Sequence, residues 1–438
     1  MKALLSELIL FDSLKTDPVL RQIAEILSEA EYSAAEDAAH LSALRARLFS
    51  EVHHILETAT RYGFRDDLWG GYLTWRMMTD EHPLALVSEK REMPNGSAAD
   101  LFEMDLKKIH ALLHYDFSSL EEKLGTAVLS TLRHYHAVQK NERMYFRSLS
   151  EIVNSLRERL MQDSAALPQL MQDFYRDYGV GLLGLNKAFR IRELPDGTSE
   201  LEPIHNLEQV HFEDLLGYES QKALIRGNVG AFLEGRAFNN MLLYGDAGTG
   251  KSTSVKAALH EFYPQGLRLI EIYKHQFRHL SQVISQVKSR NYHFLLFMDD
   301  LSFEEFEIEY KYLKAVIEGG FETRPDNIMI VATSNRRHLI KENLSDRKDM
   351  IDQEDLHHSD TVEEKLSLVD RFGLNILFSR PTHEEYLQIV RKLAARYDIL
   401  LSDEELIRRA NTWSVRKGGC TGRIAQQFIN SLAPRLSL

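Results

Sequence analysis

The hydrophobic positions of this chain follow two different spacings, and the change between them divides the sequence into three parts. From residue 1 to about 200, apolar side chains recur three and four residues apart, as at Leu4, Leu5, Leu8 and Ile9. This spacing predicts a mostly α-helical region. Between 201 and 380, short apolar runs alternate with helical patterns, which predicts an α/β domain. From 381 to 438 the helical spacing returns and predicts a small helical domain.

The middle part contains five short apolar runs that predict five β-strands. They cover residues 241–244, 267–273, 294–300, 328–335 and 375–378. Because helical patterns separate the runs, we expect a parallel sheet with helices on both of its faces. Ligands of such sheets bind beyond the carboxyl ends of the strands, so those ends are where functional side chains are expected.

The loop after the first of these strands has the pattern of a phosphate-binding loop. It matches G-x-x-x-x-G-K-[ST] at Gly245, Gly250, Lys251 and Ser252. The glycines let backbone N–H groups converge on one anion, and the following helix start also favours negative charge. The alternative, a chance glycine turn, fits poorly with a loop between an apolar strand and a helix. The predicted nucleotide-binding residues are Gly245, Asp246, Ala247, Gly248, Thr249, Gly250, Lys251, Ser252 and Thr253.

Polar side chains follow two other predicted strands, at the edge of the sheet where the phosphate loop lies. Asp299 and Asp300 end one strand, and Asn335 ends the next. Asp299 and the Ser252 hydroxyl are candidate Mg²⁺ ligands, Asp300 is the candidate that orients the attacking water, and Asn335 is the candidate partner of that water or of the γ-phosphate. A purely structural aspartate pair is the alternative, which the nearby phosphate loop disfavours.

These motifs, in this order, resemble those of the AAA+ ATPase superfamily, a group of P-loop nucleotide hydrolases. The matching segments are 214–217 for the adenine-binding segment, 245–253 for Walker A, 294–300 for Walker B, Asn335 for sensor 1, 370–374 for the arginine-finger segment and 418–423 for sensor 2. Segments 299–303, 313–320 and 332–339 resemble, more narrowly, a family of bacterial ATP-binding proteins of unknown function. The superfamily resemblance covers about 210–438 and implies a P-loop core, a helical lid, and ATP and Mg²⁺ as cofactors.

The resemblance also assigns expected roles to three groups of arginines. Arg371 would act in trans on the nucleotide of a neighbouring subunit, with Arg336 and Arg337 as rival candidates for that role. Arg423 would act in cis, from the lid. These roles imply a homo-oligomer, a ring or partial ring, that acts on a protein or nucleic-acid client. Most AAA+ ATPases have glutamate where this chain has Asp300, and the shorter side chain predicts slow hydrolysis.

Composition and charge argue against some binding partners and against an internal disulfide. The net charge of −12 argues against nonspecific nucleic-acid binding by the whole surface. Cys420 is the single cysteine, which excludes an internal disulfide and suits a reducing cytoplasm. The sequence has no run of eighteen apolar residues, so no membrane partner is expected. The segment 341–370 is highly charged, and we expect it to form a surface insertion.

Three functional hypotheses follow, and the sequence ranks them without choosing a client. The first is an oligomeric ATPase that couples hydrolysis to remodelling or loading of its client. The second is a slow or inactive nucleotide-dependent switch or scaffold. The third, a small-molecule kinase, is disfavoured because a strand separates the phosphate-loop strand from Asp299 and Asp300, and because Asn335 ends the following strand. The predicted domains are therefore 1–200, of unassigned role, 201–380, which binds nucleotide, and 381–438, the lid.

Overall fold

The computed structural model describes residues 1–33, 37–88, 96–136, 147–162, 166–205, 207–303, 309–318, 325–335 and 371–432. The chain divides into two compact units, Met1–Asn186 and Lys187–Leu438. The predicted surface insertion at 341–370 and the two rival arginines Arg336 and Arg337 lie outside the described residues.

The first unit is helical, as the three- and four-residue spacing predicts. Its helices are α1 Lys2–Ser6, α2 Asp12–Thr16, α3 Pro18–Tyr32, α4 Ala38–Tyr62, α5 Leu68–Thr79, α6 Pro83–Ser88, α7 Ser97–Leu113, α8 Ser118–Leu124, α9 Val128–Arg133, α10 Arg147–Leu160, α11 Leu167–Tyr178 and α12 Gly181–Leu185. Helix α5 is central to the packing because nine of its twelve residues are buried. The indole of Trp69, on α5, satisfies its polar atom by donating to the Leu112 carbonyl at 2.9 Å.

The described residues of the second unit are built on one sheet of seven strands. They are β1 Ala188–Glu193, β2 Ser199–Pro203, β3 Met241–Gly245, β4 Leu267–Glu271, β5 His293–Met298, β6 Ile328–Ser334 and β7 Leu374–Phe378. The strand order is β2-β1-β4-β5-β6-β3-β7, and every neighbouring pair except β1–β2 is parallel. All seven residues of β6 are buried, as expected for a central strand covered on both faces. The predicted α/β class is confirmed.

The prediction of five strands was incomplete, because the structure has two more at one edge of the sheet. Strands β1 and β2 form an antiparallel hairpin, and β1 also pairs with β4. The hairpin turn is tied by Asp196, whose carboxylate accepts the Thr198 amide at 2.9 Å. Charged residues such as Arg190 and Arg192 occupy exposed positions of β1 and break up its apolar run. The sheet thus extends upstream of residue 201, where we predicted its domain to begin.

Helices of the second unit connect the strands and form the lid. The connecting helices are α13 Glu219–Leu233, α14 Lys251–Phe262, α15 Leu280–Val287 and α16 Glu309–Glu318. The lid contains α17 His383–Arg396, α18 Asp403–Lys417 and α19 Gly422–Leu432. Thr382 begins α17 with a reciprocal capping pair, in which its side chain accepts the Glu385 amide and the Glu385 carboxylate accepts the Thr382 amide. The three lid helices share a core of their own, which includes Tyr386, Ala410 and Phe428.

In the parts of the chain that the structure describes, no helix is both long enough and apolar enough to cross a lipid bilayer.

Candidate functional site

The phosphate loop connects the end of β3 to the start of α14 through glycines that no other residue could easily replace. Gly245, Gly248 and Gly250 have φ angles of 135°, 77° and 95°, in the region that favours glycine. A Cβ atom at Gly245 would lie 2.1 Å from the Phe378 carbonyl oxygen on the neighbouring strand β7. The same carbonyl accepts the Asp246 amide at 3.2 Å. The loop therefore curls tightly against the end of β7.

Lys251 lies inside this curl and contacts both the loop and strand β6. Its Nζ donates to the carbonyls of Gly245 and Asp246, each at 2.8 Å, and to Oδ1 of Asn335 at 3.0 Å. Burial lowers the pKa of Lys251, and the carboxylates of Asp300, Asp246 and Asp299 counteract part of this decrease. The sequence-predicted lysine and the sequence-predicted asparagine are thus in direct contact.

The next group of contacts brings together the oxygen atoms suited to a divalent cation. The Ser252 hydroxyl, on the first turn of α14, donates to Oδ1 of Asp299 at 2.5 Å. The Thr333 hydroxyl donates to the same oxygen at 2.5 Å. Mg²⁺ prefers hard oxygen ligands such as one or two carboxylates plus phosphate oxygens. The chemistry of Ser252 and Asp299 therefore fits the Mg²⁺ that the sequence predicts here.

Asp300 follows Asp299 in an unusual backbone conformation. Its φ of 52° lies in the left-handed region, which few residues other than glycine, asparagine and aspartate adopt. Its amide donates to the Thr333 hydroxyl at 2.9 Å, and its Oδ1 accepts from Nδ2 of Asn335 at 2.6 Å. These contacts aim the carboxylate toward the phosphate loop and leave it exposed, where it could accept a proton from a water molecule.

One cavity of about 610 Å³ adjoins all of these groups. Its lining includes the phosphate loop from Ala247 to Thr253 together with Asp299, Asp300, Thr333 and Asn335. Apolar or aromatic side chains also line it, and they are those of Leu215, Leu216, Tyr218, Ile389 and Leu393. This volume lies within the range of small-molecule sites, which typically combine an apolar wall with a few polar groups.

The lid contributes Arg423 and Gln426 to the same cavity. Helix α19 approaches the phosphate loop so closely that a Cβ atom at Gly248 would lie 3.1 Å from Cβ of Arg423. Since Gly248 has no side chain, the start of α19 can pack directly on the loop. Arg423 thus lines the cavity from the lid rather than from the sheet, and its role toward a nucleotide stays a prediction.

Among the described site candidates outside the phosphate loop, Arg371 is the one that does not line this cavity. It precedes β7, whereas the phosphate loop contacts Phe378 at the other end of that strand. The strand alone separates these ends by about 13 Å. Among the described residues, those that line the cavity do not include Arg371.

The sequence did not predict several polar side chains of the site, and two of these contact predicted site residues directly. The first is Thr333, two residues before Asn335 on β6, whose contacts depend on the pairing register between β5 and β6. The second is Arg380, which forms an ion pair with Asp246 of the loop at 3.1 Å. A signal for Arg380 was present, because it follows the carboxyl end of β7 in the way that Asn335 follows β6.

The chain was compared with known proteins at three levels. A search of curated proteins found no match. Among solved structures, the RuvB Holliday junction branch migration motor of Thermotoga maritima is similar, at 15% identity and a TM-score of 0.31 over 52% of this chain and 73% of that chain. The FIGL-1 AAA domain in complex with ADP is similar at 15% identity and a TM-score of 0.30, over 52% of this chain and 87% of that chain.

At such low TM-scores these likenesses carry no argument, and we base the fold on the sheet order and contacts described above. The comparison with protein families is more informative. Residues 185–436 match a family described as "Protein of unknown function (DUF815)". This match spans the whole sheet, the phosphate loop and the lid, which together form the P-loop core with a helical lid that the sequence led us to expect of an AAA+ protein. The chain belongs to the DUF815 family.

Proposed function

We propose that this protein binds ATP with Mg²⁺ and hydrolyses it to ADP and phosphate. One observation supports this most directly: Lys251, Ser252, Asp299, Asp300 and Asn335 converge on a single cavity through contacts of 2.5–3.0 Å. These side chains come from the first turn of α14 and from the ends of β5 and β6, and their chemistry matches the requirements of phosphoryl transfer to water. Phosphate release from ATP by the purified full-length chain, measured with Mg²⁺ and with chelator, tests the proposal.

In the proposed reaction, each residue has a task that its position allows. The loop amides and Lys251 would hold the β- and γ-phosphates, and Ser252 and Asp299 would hold the metal. Bound Mg²⁺ would supply charge neutralisation at the phosphate oxygens. Asp300 orients the attacking water and accepts its proton, while Asn335 fixes Asp300 by the hydrogen bond at 2.6 Å. Arg423 contacts the nucleotide from the lid, so that lid movement and nucleotide state are coupled.

We further propose that the active form is a homo-oligomer with head-to-tail contacts. The support is the position of Arg371, before the start of β7 and outside the set of described residues that line the cavity. An arginine so placed does not line the cavity of its own subunit, and in an oligomer it could reach the nucleotide of a neighbour. Arginines supplied in trans increase phosphoryl-transfer rates by about 10³–10⁵ in comparable enzymes.

A subunit-mixing experiment tests whether Arg371 acts in trans. We expect Arg371→Ala to lower the ATPase rate by about 10³-fold without weakening ATP binding. Asp300→Asn should be inactive because it cannot activate water, but it still carries Arg371. A one-to-one mixture of the two variants should therefore recover activity, to about a quarter of the wild-type rate for random head-to-tail assembly.

Arg423→Ala provides the matched control for this experiment. Arg423 lines the cavity of its own subunit, so a mixture of Arg423→Ala with Asp300→Asn should stay as inactive as its components. Recovery in both mixtures would show that a group other than Arg371 is supplied by one subunit to the site of another. No recovery in either mixture, with a specific activity independent of protein concentration, would contradict the oligomeric mechanism.

The switch or scaffold remains the second candidate, and Asp300 is the observation that favours it. An aspartate reaches less far than the glutamate that most AAA+ ATPases have, and this one already accepts a hydrogen bond from Asn335. ATP binding without measurable turnover would support the switch. For either function, the client, a protein or a nucleic acid, is best sought by co-purification with Asp300→Asn held in ATP, against Lys251→Ala as the control.

A further inference from the structure

Thr333 is a buried residue of β6 that contacts both aspartates of the candidate site. Its side chain and backbone are 1% exposed. Its hydroxyl lies 2.5 Å from Oδ1 of Asp299 and 2.9 Å from the amide nitrogen of Asp300. Its carbonyl oxygen also accepts the Leu301 amide at 2.7 Å. One residue thereby holds three consecutive positions of the turn after β5.

The direction of each hydrogen bond follows from the chemistry of the groups. The amide of Asp300 can only donate, so the Thr333 hydroxyl must accept from it. The hydroxyl has a single proton, and the ionised carboxylate of Asp299 can only accept that proton. Thr333 thus receives a hydrogen bond from one aspartate and donates one to the other. A side chain without a hydroxyl could make neither contact.

The two contacts fix different properties of the site. The bond to Asp299 sets the orientation of the carboxylate that would hold the metal, since Oδ1 is shared between the hydroxyls of Thr333 and Ser252. The bond from Asp300 stabilises a backbone with a φ of 52°, in the left-handed region that costs energy for residues other than glycine. That backbone conformation determines where the Asp300 carboxylate points.

We propose that Thr333 is a positioning residue. Through one hydroxyl group it fixes the position of the metal-binding aspartate relative to the water-orienting aspartate. The inference rests on the proposed function, because the two aspartates have those tasks only if the site binds a metal–nucleotide complex. Residues that hydrogen-bond to metal ligands without contacting the metal are important for the site. Their mutation typically lowers metal affinity or activity by about 10- to 100-fold.

Two substitutions distinguish the contribution of the Thr333 hydroxyl from that of the rest of its side chain. Thr333→Val keeps the branched shape that suits a buried strand and removes the hydroxyl. Thr333→Ser keeps the hydroxyl and removes a buried methyl group. A role in packing would make the serine variant the more damaged of the two, whereas a role in positioning makes the valine variant the more damaged. Which of the two variants has the more damaged site therefore decides between these roles. The melting temperature of each variant is recorded as well.

The first measurement is Mn²⁺ affinity, by titration of the full-length chain in the presence of a non-hydrolysable ATP analogue. We expect Thr333→Val to weaken Mn²⁺ binding by about 10-fold and Thr333→Ser to stay within about threefold of wild type. The second measurement is hydrolysis at saturating ATP and Mg²⁺, where kcat of the valine variant should fall by about 10- to 100-fold while its affinity for ATP changes little.

The two measurements distinguish failure of this inference from failure of the proposed function. If the wild type binds Mn²⁺ with the analogue but does not hydrolyse ATP, and the valine variant binds Mn²⁺ more weakly, the hydrolysis proposal fails and the role of Thr333 stands. If the valine variant equals wild type in Mn²⁺ affinity, or if serine is the more damaging substitution, the role of Thr333 is overturned. A wild type that binds no Mn²⁺ with the analogue would overturn both.

Discussion

Replacing Lys251 with alanine is expected to weaken ATP binding by at least about 100-fold. The ammonium group is held 2.8 Å from the carbonyls of Gly245 and Asp246, within the curl of the phosphate loop. Hydrogen bonds to charged groups contribute about 1.5–3 kcal/mol each, and loss of about 3 kcal/mol corresponds to about 100-fold in affinity. Isothermal titration with ATP and Mg²⁺ measures the change directly.

The control for this variant must remove a lysine without touching the site. Lys107 is suitable because it is exposed on α7 of the first unit, where it pairs with Glu103 at 2.8 Å. Exposed pairs of this kind contribute at most about 1 kcal/mol, so Lys107→Ala should bind ATP as wild type does. If Lys251→Ala retained wild-type affinity with an unchanged melting temperature, the loop would not be the phosphate site.

Replacing Asp300 with asparagine is expected to preserve ATP binding and to lower turnover by about 10²- to 10⁴-fold. The size of the effect is that of a lost general base, since the amide cannot accept the proton of the attacking water. The backbone should tolerate the change well, because asparagine adopts positive φ angles at least as readily as aspartate. The measurement is phosphate release at saturating ATP, together with ATP affinity by titration.

Asp398 supplies a matched control for the backbone. It is an exposed aspartate of the lid with a φ of 50°, close to the 52° of Asp300. Asp398→Asn makes the same chemical change in the same backbone conformation outside the cavity, so its turnover should equal that of wild type. Equal turnover in Asp300→Asn would instead mean that another group activates the water.

The parts of the fold that could be predicted are those whose physical signal is local in the sequence. Buried central strands must be apolar on both faces, so Met241–Gly245 and Ile328–Ser334 were recognisable as continuous apolar runs. The hairpin of β1 and β2 was not, because both strands have exposed positions among the buried ones. Its charged positions, such as Arg190 and Glu202, conceal the pattern.

For the site, the rule that ligands bind beyond the carboxyl ends of parallel strands was enough to associate Asp299, Asp300 and Asn335 with the phosphate loop. The rule says nothing about side chains that reach these groups from within a strand. The role of Thr333 could be recognised only from the observed pairing of β5 with β6, in which Met298 lies opposite Ala332. The place of Arg423 came from resemblance to a known superfamily, and the structure supplies its contact with the loop.

The internal bonding of the phosphate loop has a consequence for how a ligand would associate. Besides the lysine, the Thr249 hydroxyl donates to the Asp246 carbonyl at 2.8 Å, and Arg380 holds the side chain of Asp246. The loop is therefore preorganised, and its entropy is already reduced before any anion arrives. Ligands that meet a preorganised receptor lose little of their interaction energy to ordering it, so most of the free energy of a triphosphate's contacts with this loop would contribute to its affinity.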